Sequence, residues 1–297
     1  MPARSPIPED LLRREAESIA VRYRVSIEEA EAALGEAFAA APELACRVRH
    51  RHAQEDVSRW RDYREVIRKC RKELYYGLRQ YYRAPASVER LVEEFEREAE
   101  AAARPERIEE LRQELLAAHT STRERLQHYA EFYERFFELV GAPSTLLDVG
   151  CGMHPLSYPF AGRGELTELY VALDMDRRAI RALRAYARLV GTGRLVTMQA
   201  SLEDRTWAER LPCSAPFELA VLLKVVPVLS RLDRAAVEGL AEAPARRLLL
   251  SGSRESMTRR QSIQARERGV LKRFIERSGR RIVAEFLAGN EFGYLVE

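Results

Sequence analysis

The sequence predicts an α/β protein, a seven-stranded, Rossmann-like, doubly wound sheet that follows a helical N-terminal domain. Three observations predict it. From Thr145 onward, short apolar runs alternate with amphipathic stretches, as strands alternate with crossover helices. The run Thr145–Val149 ends in the glycine turn Gly150-Cys151-Gly152, where glycine lets backbone approach a ligand closely. Residues 8–118 read instead as consecutive helices rich in charge.

The elements follow in order. Pro8 opens a helix in which Leu11, Leu12, Ile19 and Val21 recur near helical spacing. Ser26 with Glu29 forms a capping-box pattern ahead of an alanine-rich helix to Ala41. Residues 43–83 carry Tyr63, Val66, Ile67 and Leu74 at helical spacing. Residues 87–118 are a third helical stretch, with Ser87 as cap and Pro105 as a break or restart. A further helix opens at His119, capped by Ser121 or Thr122. Its apolar face is Leu126, Tyr129, Phe132, Tyr133, Phe136 and Phe137, and Gly141 and Pro143 stop it. Strands are expected at 145–149, 169–173, 194–199, 219–223, 247–251, 282–286 and 292–296, the last two as an antiparallel hairpin. Helices are expected near 177–190, 205–210, 233–242 and 263–278. This places a helical domain at 1–105 and the sheet domain at 106–297.

Composition narrows the class. No apolar run approaches the ~20 residues of a membrane span, and MPARSPIPED lacks the apolar centre of a signal peptide. Cys46, Cys70, Cys151 and Cys213 are scattered without C-x-x-C spacing, which argues against a zinc site and fits a reduced cytoplasm. No metal is expected.

The net charge of +3 conceals blocks. Residues 44–83 hold 12 Lys/Arg against 5 Asp/Glu, residues 84–118 hold 5 against 10, and residues 246–281 hold 12 against 3. Two basic blocks around an acidic one suggest a divided surface for an anionic ligand. In the first block, Arg47, Arg49, Arg51, Arg68, Lys69 and Lys72 are candidates to contact RNA phosphates. They alternate with Trp60, Tyr63, Tyr75, Tyr76, Tyr81 and Tyr82, which can pack the helices or stack on bases. The plainer reading is a solvated cationic face over aromatic packing.

The glycine turn is not a dinucleotide fingerprint. Pro155 stands where a third glycine would fall. Asp174 ends the second strand 22 residues after Gly152, near the spacing at which a carboxylate meets a ribose. Asp148, two residues before Gly150, suits a ligand with a positive centre better than a diphosphate. Together these point to S-adenosylmethionine (SAM), with its amino-acid end at Gly150 and Gly152 and its ribose at Asp174.

The motifs HTSTRERL at 119–126, LLDVGCGMHPLSYPF at 146–160, LLKVVPVL at 222–229, SGSRESMTRR at 251–260 and GNEFGYLVE at 289–297 resemble a family. It is the bacterial 16S rRNA guanine-N7 methyltransferases of aminoglycoside resistance. The resemblance implies a class I SAM-dependent methyltransferase sheet and, as partner, 16S rRNA within the 30S subunit, met by a monomer. It implies that Arg123 binds the SAM carboxylate, Gly150 lines the methionine end and Asp174 holds the ribose. Ser201 and Leu202 would frame the adenine, and Leu223 would line the cofactor. Lys224, Pro227 and Leu229 would flank the transfer cleft, with Arg254 and Glu291 near the target base. Glu291 would then hold the guanine edge and touch neither core nor cofactor. Without the resemblance it reads as a strand-end carboxylate, and Arg123 and Arg125 as helix cations able to reach a carboxylate. The basic stretch 44–83 would dock on folded rRNA. Two departures stand out: His154-Pro155 replaces the family's Asn-Pro, and SGSRESMTRR lacks its glycine pair.

Two other classes compete. A small-molecule SAM methyltransferase with a helical lid would not need the basic N-terminal stretch. A non-catalytic RNA-binding protein on the same fold would bind RNA without turnover.

Overall fold

A computed structural model describes residues 6–23, 27–78, 85–102, 104–202, 204, 206–213, 216–232, 234–255 and 262–297. Contacts divide the chain into two units, residues 1–90 and 91–297.

In the first unit lie α1 (Glu9–Tyr23), α2 (Ile27–Ala39), α3 (Pro42–Arg51) and α4 (Arg61–Leu78). Leu11, Ile19, Leu34, Phe38, Val48, Tyr63 and Ile67 form its buried core. The spacing of Tyr63, Ile67 and Cys70 puts them on one stripe of α4, while Arg61, Arg64, Arg68 and Lys69 stay exposed on the other. Ser26 of the expected capping box lies outside the described residues, as do Arg79, Tyr81, Tyr82 and Arg83.

Helix α5 (Pro85–Ala101) carries the division between units, so the expected boundary at 105 falls 15 residues later than the one at 90. Beyond residue 90, acidic side chains of α5 pair within the second unit. Glu94, Glu96 and Glu98 on α5 pair with Arg107, Arg181 and Arg104, all in the second unit. The helix also begins at Pro85, before the expected cap Ser87. Pro105 restarts the chain as α6 (Pro105–Ala118), at a first-turn position where its missing N–H costs nothing. Next come α7 (Thr120–Arg125) and α8 (Tyr129–Val140). Thr122 does not cap α7; its hydroxyl is buried and donates to the Leu116 carbonyl at 2.6 Å.

The sheet has the expected seven strands: β1 (Thr145–Val149), β2 (Leu169–Asp174), β3 (Leu195–Gln199), β4 (Phe217–Leu223), β5 (Ala245–Ser253), β6 (Ile282–Ala288) and β7 (Glu291–Val296). Their order is β3-β2-β1-β4-β5-β7-β6, with β7 antiparallel to both β5 and β6. Strand order reverses between β1 and β4, so the carboxyl ends of these strands border the crevice where such sheets bind ligands. The helices between them are α9 (Arg177–Val190), α10 (Val225–Leu232), α11 (Arg234–Ala241) and α12 (Gln264–Ser278). Helix α10 was not expected, because Pro227 breaks the apolar run. It sits in the helix's first turn, where proline is tolerated.

Side-chain alternation sorts the two faces of the sheet. Leu147, Val149, Val171, Leu173, Leu222 and Leu250 join Leu240, Leu271 and Phe274 in one core. The opposite face carries Tyr170 and Phe286. There Phe132 of α8 meets Phe286 edge-on at 5.3 Å, and Tyr158 meets Tyr170 at 5.0 Å. Among the described residues, no helix is long and apolar enough to cross a membrane.

Candidate active site

The turn after β1 is built for close approach. Gly150 and Gly152 have φ of +67° and +51°, which L side chains rarely adopt. A Cβ on Gly150 would meet Val225 Cγ2 at 2.8 Å, and one on Gly152 would meet His119 Cε1 at 2.6 Å. The His119 ring is buried on the turn, and that burial pushes its pKa down to about 4, so it is neutral at pH 7.

Asp174 ties the turn to β2. Its Oδ2 accepts from Gly152 N at 2.7 Å and its Oδ1 from Asp176 N at 2.8 Å. Gly150 N and Cys151 N donate to the Leu173 carbonyl at 2.8 and 3.0 Å. Burial raises the Asp174 carboxyl to about 6, against these N–H bonds. Each carboxylate oxygen can accept a second hydrogen bond. The positive-φ glycines and this remaining acceptor capacity fit the amino-acid end and ribose diol of SAM.

Asp148 departs from its expected role. It is 1% exposed and points into the sheet's aromatic face, so it does not meet a ligand's positive centre. The register puts Leu146 opposite Tyr170 and Asp148 opposite Ala172, so Tyr170 lies diagonally across from Asp148 on the same face. Its Oδ2 accepts from Tyr170 OH at 2.7 Å and contacts His154 Nδ1 at 2.8 Å. His154 Nε2 lies 3.1 Å from Tyr133 OH, which lies 2.8 Å from Ser157 Oγ. The carboxylate is thereby a prop beneath the glycine turn. A buried acid in an apolar strand needs such partners, and His154, six residues on, supplies one.

At the ends of β4, β5 and β7 a second charged group assembles. Glu291 is 2% exposed, so the expectation that it touches neither core nor cofactor is overturned. Arg125 holds it in a bidentate pair, Nε–Oε2 at 2.6 Å and Nη2–Oε1 at 2.9 Å. Ser251 donates to Oε1, and Lys224 Nζ lies 3.9 Å from Oε2. Burial alone would push the carboxyl up. The charges of Arg125 and Lys224 outweigh it and hold the pKa down to about 2. The Arg125 guanidinium also sits 5.1 Å from the Phe132 ring centroid. Arg125 thus reaches a carboxylate, and it is the protein's own.

Lys224 is half-buried and donates to Glu124. Its φ of +64° is strained for a non-glycine residue, and its N–H donates to Ser251 O at 3.2 Å. Such strain at a strand end facing the crevice marks a site where backbone position matters. Leu223 and Pro227 are buried beside it, and Leu229 packs on the core. Arg254 is exposed and donates to Gly289 O at 3.2 Å, so it holds the β6–β7 turn rather than Glu291. Residues 256–260 of SGSRESMTRR lie outside the described residues. Arg123 is half-buried on α7, and Ser201 and Leu202 are half-buried after β3.

Sequence reasoning missed His119, Glu124, Ser251 and the prop of Tyr133, His154 and Tyr170. The polar residue inside β1 was the available signal for the prop. Nothing local marks the rest, since β5, β7 and α7 meet only in the folded chain.

Of the candidate RNA cations, Arg47, Arg49, Arg51, Arg68 and Lys69 are exposed. Arg47 pairs with Asp62, Arg51 with Glu55 at 2.8 Å and Arg68 with Glu65 at 3.2 Å. The side chain of Lys72 lies outside the described residues.

Known proteins resemble this chain in sequence and in fold. A 16S rRNA (guanine(1405)-N(7))-methyltransferase of Micromonospora olivasterospora is 28% identical over 247 residues, covering 82% of this chain and 79% of its own. One from Micromonospora echinospora is 38% identical over 119 residues, 40% of either chain, so that match spans well under half of the relative's length. The solved structure of the 16S rRNA methyltransferase RmtF in complex with S-adenosyl-L-homocysteine superposes with a TM-score of 0.60 at 18% identity, covering 98% of this chain and 99% of that one. That likeness is one of fold. The family model for ribosomal RNA methyltransferase (FmrO) matches residues 36–286, and the chain belongs to that family.

Proposed function

We propose that the protein transfers a methyl group from SAM to N7 of a guanosine in the decoding site of 16S rRNA, within the 30S subunit. The observation that carries this reading is the family match across residues 36–286, which takes in the glycine turn, Asp174 and Lys224. The protein would act as a monomer in the cytoplasm, and the modification would lower aminoglycoside binding. The helical unit, residues 1–105 by the sequence boundary, would dock on rRNA through Arg47, Arg49, Arg51, Arg68, Lys69 and Lys72.

SAM, when bound, supplies an electrophilic methyl group on a sulfonium. Asp174 would hold its ribose, Arg123 its carboxylate, Gly150 and Gly152 its amino-acid end, and Ser201, Leu202 and Leu223 would line the rest. Guanine N7 carries a free lone pair at neutral pH, so no residue has to remove a proton before transfer. The protein's work is positioning and electrostatics. Lys224, just after β4, forms a compensated pair with Glu124 of α7, and Arg254 follows the end of β5. Glu291, saturated by Arg125 and Ser251, acts as the anchor that keeps Arg125 and Lys224 in place. The target base must leave its stack to enter, at a cost of a few kcal/mol.

Incubation of purified 30S subunits with labelled SAM, followed by mapping of the label, tests the reading. A single N7-methylguanosine in the decoding site is expected. Absence of label, or label on another atom or nucleotide, would refute it.

A further inference from the structure

The helical N-terminal unit contains an open cleft of about 740 Å³, lined by side chains of α3 and α4 and the loop between them. Its lining is charged with one exception, Trp60. Small-molecule sites commonly measure roughly 300–1,000 Å³, so a nucleotide fits. Two aromatic side chains are described between residues 44 and 71. Tyr63 is 1% exposed and its ring packs on Phe38 at 5.5 Å, so it belongs to the core. Trp60 is half-exposed, with part of its surface on that core and part in the cleft.

The Arg47 guanidinium carbon lies 5.0 Å from the Trp60 ring centroid, and Asp62 fixes the same guanidinium by an ion pair. A cation layered on an aromatic ring presents a flat, oriented surface. Single-stranded bases stack on such aromatic rings and on guanidinium planes. Around this platform stand Arg51, paired with Glu55, and Arg61, which has no ion pair among the described residues. Exposed pairs of this kind contribute at most about 1 kcal/mol, so a phosphate displaces the carboxylate at little cost.

We propose that this cleft is a nucleotide pocket, in which one unstacked RNA base lies on the Trp60–Arg47 platform while Arg51 and Arg61 take its flanking phosphates. The proposal rests on the reading that folded rRNA is the substrate. It adds a contact to a base, and hence a preference for a local RNA shape, to a surface otherwise described by charge.

The chain has two tryptophans, and Trp207 is 1% exposed in the sheet core. The full-length Trp207→Phe variant therefore leaves Trp60 as the sole tryptophan reporter. It is titrated with an unstructured RNA octamer, an abasic octamer of equal charge, and inorganic polyphosphate. Saturable quenching by the octamer alone is expected. Equal quenching by all three would make the cleft a phosphate site only, and no quenching would exclude it as a nucleotide site; either overturns the proposal. In the otherwise wild-type chain, Trp60→Leu keeps apolar packing but removes the ring. It should weaken 30S binding roughly 5- to 150-fold, with the salt slope, melting temperature and SAM affinity unchanged. Trp60→Phe should restore most of the loss. Wild-type binding by the Leu variant, or a loss explained by unfolding that Phe does not rescue, would overturn the pocket. Should the wild-type chain transfer no methyl to 30S subunits, the substrate reading fails by itself; octamer-specific quenching would still support the pocket.

Discussion

Two arginine–carboxylate pairs of the same chemistry sit in opposite surroundings, one in water and one buried. In the helical unit, Arg47 and Asp62 have side chains 51% and 49% exposed. In the sheet unit, Arg125 and Glu291 have side chains 4% and 3% exposed. Water competes for the first pair, so it contributes at most about 1 kcal/mol and can open to admit a phosphate. The second has lost its water, so each charge depends on the other, and removing one partner costs about 3–5 kcal/mol. The same side chains are exchangeable on one surface and fixed in the other. Location, more than residue type, separates the exposed pair from the buried one.

The largest expected effect would break the buried pair. Glu291→Gln leaves Arg125 buried without its counter-charge and should destabilise the protein by roughly 3–5 kcal/mol, read by denaturant unfolding. Unchanged stability would return Glu291 to the substrate-facing role first expected of it. The pH dependence has a definite sign. The folded pKa of about 2 lies below the ordinary 4.5, so the stability contribution is complete above 4.5 and is lost as pH falls from 4.5 toward 2. Wild type and variant should converge over that window.

A smaller effect is expected at the cofactor. Asp174→Ala should lower SAM affinity by roughly 1.5–3 kcal/mol for each charge-assisted bond lost, measured by calorimetry. Its pKa is raised from 3.8 to about 6, so the folded state favours the protonated form and gains stability as pH falls through 6. The ionised carboxylate is the stronger acceptor for ribose hydroxyls, so SAM affinity should instead weaken below about pH 6. A flat affinity profile between pH 5 and 7 would remove Asp174 from the site.

Next comes the prop beneath the glycine turn. His154→Leu leaves Tyr133 OH with Ser157 as its partner and removes one partner of buried Asp148, at a cost of about 1–3 kcal/mol in stability. SAM affinity should fall with it, since the turn loses its support. Full affinity in a destabilised variant would separate the prop from the cofactor site.

The smallest effect lies on the surface. Asp62→Asn should change stability by less than about 1 kcal/mol, read by denaturant unfolding. A large loss of stability would show that the exposed pair is as fixed as the buried one.

The places of the strands along the chain were legible because each is short, apolar and bounded by turn residues. The glycine turn at Gly150 and Gly152 and the strand-end place of Asp174 were legible for the same reason: they fall at strand ends within one local stretch. Helix α10 was not, since Pro227 reads as a breaker until its place in the first turn is known. Asp148 was placed on the ligand because it neighbours the turn; period-2 alternation sends its side chain to the face that Tyr170 shares. Glu291 and Arg125 are separated by 166 residues, and only the closed sheet brings them together.

Exposed arginines can exchange a carboxylate for a phosphate at little cost, whereas buried charges cannot. The most direct test is 30S affinity across a range of salt concentrations, for the wild type and for a variant with Arg47, Arg49, Arg51 and Arg68 each changed to Gln. Each lost phosphate contact should make the log–log slope shallower by about 0.7–0.9, with melting and SAM affinity unchanged. Parallel salt dependences for the two proteins, or a variant that melts early, would contradict it.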